Sequence, residues 1–135
     1  MTVQETADTY LKHYHSKSPD DFWAWNAVEE MCRKQETGVA ICVALAASCQ
    51  TAAELAYIAA GPYEELIERY GPDVLLPLKM AAQTSEKVRV ALSGIWIRKD
   101  HPAYEGWKLL MIDYGYWDKR PMSPVDRGWN PKEAK

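Results

Sequence analysis

The side chains with chemical capacity are few and scattered. His13 and His15 stand two residues apart, a spacing that would let both grip one metal from a strand but sends them to opposite sides of a helix. His101 precedes Pro102 at a helix start, where a solvated or capping role is expected. Cys32, Cys42 and Cys49 form no C-x-x-C pair. Cys42 and Cys49 fall on one face of an apolar segment and are expected to behave as small buried hydrophobes. Neither a metal site, a disulfide nor a cofactor is therefore expected. The phosphate-binding loop, the dinucleotide fingerprint and the G-x-S-x-G elbow are missing, and Ser93-Gly94 falls within a helical pattern instead of on a strained turn. Carboxylates are the remaining option. Glu64 and Glu68, four apart on one helical face, could share a proton or a cation. Glu65 and Arg69 make a favourable i, i+4 pair one position around, as an ordinary solvated face also does.

The elements that must position these groups are helical. Val3, Ala7, Tyr10, Leu11 and Tyr14 keep helical spacing. Ser18-Pro19 reads as a cap and first turn of a second helix, expected to run to about Glu36. On it Trp25, Val28, Met31 and Cys32 share a face, whereas Trp23 lies roughly 200° around from Trp25. Gly38 is expected to punctuate before Val39–Ser48, which is apolar on every side and suits a central buried helix.

Thr51 and Glu54 spell a capping box, and the short helix after them is expected to stop at Gly61, with Pro62 opening the next. Tyr63, Leu66, Ile67 and Tyr70 supply its buried stripe before Gly71-Pro72 repeats the same stop and start. Pro77 should kink or delay the following helix. Ser85 caps a helix in which Val88, Ala91, Leu92, Ile95 and Trp96 fit the amphipathic template. Asp100-His101-Pro102 begins the last, with Tyr104, Trp107, Met111 and Tyr114 on one side. The fold class is all-α: seven or eight short helices as successive antiparallel hairpins, compact or short and solenoid-like, over residues 1–117. Residues 118–135 read as an extended, proline-rich tail docked on the domain by Trp129.

Length and charge narrow the function. The chain has 135 residues, enough for one domain, and its longest nearly unbroken apolar run is too short to span a bilayer. Its polar, acidic start lacks the pattern of a secretory leader, so a cytoplasmic location is expected. The formal net charge of −3 argues against nucleic acid as a partner. Residues 1–75 hold twelve Asp or Glu against five Lys or Arg, a balance that can attract a cationic partner. Six Trp and eight Tyr against one Phe suit interfaces as well as half-buried helix faces.

Three segments carry a resemblance: Phe22-Trp-Ala-Trp25, Leu55-Ala-Tyr-Ile-Ala-Ala-Gly-Pro-Tyr-Glu-Glu-Leu-Ile67 and Ala91-Leu-Ser-Gly-Ile-Trp96. In this order and spacing they resemble a family of small, mostly bacterial proteins of unknown function. The resemblance spans roughly Phe22 to Ile97 and implies an all-α helical fold, with no catalytic residues to carry over. The expected function is a non-enzymatic protein-binding module, in the concrete form of an immunity or antitoxin-type protein that neutralises a basic partner. Trp23, Glu64, Glu68 and Trp117 are its candidate contact residues. The alternatives are a homo-oligomerising module packed through Trp23, and a small enzyme or ligand carrier with a pocket lined by Trp96, Trp107 and Tyr114.

Overall fold

Residues 2–117 are described by the computed structural model, and among them stand eight α-helices and no strand. These are α1 (Val3–Ser16), α2 (Phe22–Met31), α3 (Gln35–Ser48), α4 (Ala52–Ile58), α5 (Glu64–Tyr70), α6 (Pro72–Ala82), α7 (Glu86–Ser93) and α8 (Tyr104–Asp113). A π-helical turn, Ala59–Tyr63, joins α4 to α5, so the two form one rod and the helical bodies number seven. The tail after residue 117, including Trp129 and its expected docking, lies outside the described residues.

Side-chain caps set the starts of α1, α4 and α7. Thr2 with Glu5 and Thr51 with Glu54 each complete a reciprocal box, the hydroxyl accepting the amide three residues on and the glutamate accepting the cap amide. Ser85 accepts the Val88 amide at the head of α7. Ser18 and Pro19 start a 3-10 turn that leads into α2. Gly71 takes φ 61°, where an L side chain would be strained, and Pro72 occupies the first turn of α6. α6 continues through Pro77.

The structure corrects several boundaries. α2 ends at Met31, and α3 already begins at Gln35, so Gly38 lies inside a helix instead of between two. A Cβ at Gly38 would sit 2.4 Å from Leu66 Cδ1 and 3.3 Å from the Cys32 Cα, so this glycine lets α3 and α5 approach closely. Gly61 does not stop its helix. A proline within a helix lacks an N–H, and its ring crowds the carbonyl four residues back. At Pro62 the helix accommodates this by widening by one residue: the Glu64 N–H donates to the Ala59 carbonyl and the rod continues. α7 ends at Ser93, with the Gly94 N–H closing on the Ala91 carbonyl, so Ile95 and Trp96 are not helical. Gly94 allows close approach, because a Cβ there would lie 3.1 Å from that of Ala59.

α3 is the centre expected from its all-round apolarity. It packs against α1, α2, α4, α5, α6 and α7 through a core that includes Ile41, Cys42, Leu45 and Ala46. The Tyr63 hydroxyl, buried in this core, donates to the Cys42 carbonyl at 2.7 Å. Burial pushes both the Cys42 thiol and the Tyr63 phenol well above their ordinary ranges, as it does the thiol of Cys49, to about 12. Cys32, Cys42 and Cys49 are free, buried thiols. No described helix is long and apolar enough to cross a membrane.

Candidate functional site

The widened turn at Ala59–Tyr63 forms one side of a cleft of about 590 Å³. Ala60, Gly61 and Pro62 contribute the turn itself. Trp25, Val28 and Glu29 come from α2, and Glu64, Glu65 and Glu68 from α5. Trp96 and Arg98 come from the non-helical segment after α7, and Tyr10 completes the lining. Four glutamates thus share the cleft with one arginine.

Position in the fold gives each carboxylate a different surrounding. Glu65 meets Arg69 at 3.4 Å across one helical turn, and Arg69 also donates to the Cys32 carbonyl at 3.2 Å. Glu68 accepts from Arg98 at 3.1 Å. The Glu68 backbone carbonyl lies 3.2 Å from His101 Nε2. His101 is buried, and its Nδ1 accepts the Ala103 amide at 3.0 Å, which leaves the ring proton on Nε2 to donate toward Glu68. It is a buried cap, and the solvated alternative does not hold. Glu64 is half-buried and accepts only the Trp96 backbone N–H, at 3.3 Å among the described residues. Partial burial pushes the Glu64 carboxyl up, and this single amide bond only partly offsets it.

Trp96 is the residue the sequence reading misplaced. Helical periodicity puts it on a buried face; the structure leaves it 67% exposed. The reason is the early end of α7. Once the chain leaves the helix, Ile95 and Ile97 both turn into the core, and the side chain between them is thrown outward. The signal available was Gly94 followed by two isoleucines flanking one tryptophan, a period of two instead of 3.6.

The other expected contact residues take different places. Glu64 and Glu68 come together in the cleft, as their spacing implied. Trp23 lies outside it; like Trp25, which lines the cleft, it is half-buried and packed against the core. Trp25 stacks on Phe22, ring centres 5.6 Å apart. Trp117 is half-buried, edge-on to Trp107 at 5.9 Å and to Tyr104 at 6.4 Å, with the Lys108 ammonium 5.2 Å from its ring centre. These aromatics join Trp96 in a second, smaller recess of about 250 Å³; Tyr114 is not part of it. Among the described residues no cluster of His, Cys, Asp or Glu has the makings of a metal site. His13 packs beside Phe22, while His15 bonds Glu54 at 2.8 Å.

The class that emerges is an all-α domain with an acidic cleft walled by tryptophan at a π-helical turn. Within that class, the model of the family of unknown function DUF6869 matches residues 12–108, and the chain belongs to this family. No curated protein and no solved structure matches the chain.

Proposed function

We propose that the chain is a non-enzymatic protein-binding module that receives a basic partner in this cleft, after the manner of an immunity or antitoxin-type protein covering a cationic surface. The observation that carries the reading is Trp96, a large apolar side chain held out at the wall of a cleft that counts four glutamates to one arginine. Tryptophan is among the residue types enriched at the energetic centre of protein interfaces, and one-signed charge around it speeds and selects encounter. The interior of the domain is supplied with partners, and no buried polar side-chain atom among the described residues is left without one. Its unmet capacity lies at the surface.

The test is recovery of a stoichiometric basic partner with the full chain, at low and at high salt, alongside the charge-reversed Glu64→Lys/Glu68→Lys variant. A complex that weakens at least tenfold both in salt and in the variant supports the reading. A complex indifferent to both removes it. Circular dichroism of the variant separates lost binding from lost folding.

A further inference from the structure

The carboxylates of the cleft are not equivalent. Glu65 and Glu68 are matched by Arg69 and Arg98, whereas Glu29 and Glu64 have no ion pair among the described residues. Glu64 is the more exacting of the two. It is half-buried, and its Oε2 accepts the Trp96 backbone amide while its second oxygen has no hydrogen bond among the described residues. The residue that supplies that amide also supplies the exposed indole. Ring and carboxylate are thereby held to one local frame.

Resting on the reading of the cleft as a protein-binding site, we infer that it is built for an arginine side chain of the partner. The guanidinium stacks on the Trp96 indole and donates through its N–H groups to the Glu64 carboxylate. A guanidinium is planar and weakly hydrated, so it can leave water to lie on an aromatic face while its edge still donates two parallel bonds. A lysine ammonium is a strongly hydrated point charge. It satisfies a carboxylate but gains less from the ring and loses more water on entering a half-buried site. Arrival of a cation also relieves the half-buried charge of Glu64 that burial now disfavours. Glu29 and Trp25, which face the same cleft from α2, supply a further carboxylate and a further aromatic side chain for the residues flanking that arginine.

The experiment uses the full chain and two blocked decapeptides of equal length, Gly/Ser-rich, one bearing three arginines and the other three lysines at the same positions. Calorimetry at low salt should find the arginine peptide bound about tenfold tighter. Glu64→Gln keeps an oxygen for the Trp96 amide yet removes the charge, and should weaken the arginine peptide about tenfold. Trp96→Ala should erase the preference while leaving weak, salt-sensitive binding of both peptides. Equal affinity of the two peptides for the wild type, or a preference that survives both substitutions, overturns the arginine assignment and leaves the acidic protein-binding reading standing. Failure of the wild type to bind either peptide overturns both. Unfolding curves of the two variants, expected to overlay that of the wild type, show that a lost signal is not lost structure.

Discussion

Two glutamates and two tryptophans divide the molecule into a part that is finished and a part that is not. Glu54 and Glu64 sit on the same continuous rod. Glu54 is buried and accepts from the Gln50 amide at 2.6 Å, the Thr51 amide at 3.0 Å and the His15 ring at 2.8 Å. Burial pushes its carboxyl up, but these donors together outweigh that and hold it below the usual range. Glu64, half-buried, also bears a cost of burial with one amide to set against it, and its carboxyl goes up. Trp107 and Trp96 repeat the contrast. Trp107 is 2% exposed and its indole N–H donates to the Leu92 carbonyl at 2.8 Å, whereas Trp96 stands in solvent. A side chain fully satisfied from within is spent on folding; the same side chain held in place but incompletely partnered remains free to bind.

This division implies a graded set of outcomes. Trp107→Ala should cost about 3–5 kcal/mol in urea unfolding, because it empties a core position and strands the Leu92 contact. An equal loss in Trp96→Ala would collapse the distinction between the two tryptophans. Glu54→Ala should cost about 1–2 kcal/mol, since it opens the capping box and uncovers the Gln50 and Thr51 amides.

The pH dependence of the two acids should run in opposite senses. A carboxyl lowered by folding, as in Glu54, stabilises fully above its unfolded pKa, and that stability is lost as pH falls through the folded value. Comparing wild type with Glu54→Gln between pH 7 and pH 3 should therefore show the gap in melting temperature closing in acid. Glu64, raised by folding, brings a penalty that is absent in acid and sets in as pH rises from the unfolded to the folded value. The smallest effect follows: Glu64→Gln should shift stability at pH 7 by no more than about 0.5 kcal/mol, in the stabilising direction, as should Trp96→Ala in magnitude. A clear destabilisation by Glu64→Gln would make it a structural acid like Glu54.

Much of this was legible along the chain wherever the cause is local. The Thr51–Glu54 box, the Gly71-Pro72 corner, the apolar centre over Val39–Ser48 and the pairing of Glu64 with Glu68 on one face all depend on residues within a few positions of one another. Membership in the family agrees with the three segments that suggested it. What escaped depends on neighbours distant in sequence. Gly61-Pro62 has the form of a helix corner, and only the packing of α4 and α5 as one rod against α3 and α7 makes a π-helical turn the better solution.

The amino-acid sequence by itself determined the all-α class, the helix starts after Thr51, Gly71 and Ser85, and the acid-rich, tryptophan-rich character of the chain, because propensity, capping and composition act over one or two turns. Tertiary structure alone decided which of the described tryptophans faces water and which of the cleft glutamates go without an ion pair among the described residues. Burial and hydrogen-bond supply are properties of a place in the fold, and Ile95 and Ile97 had to find the core before Trp96 could be turned away from it.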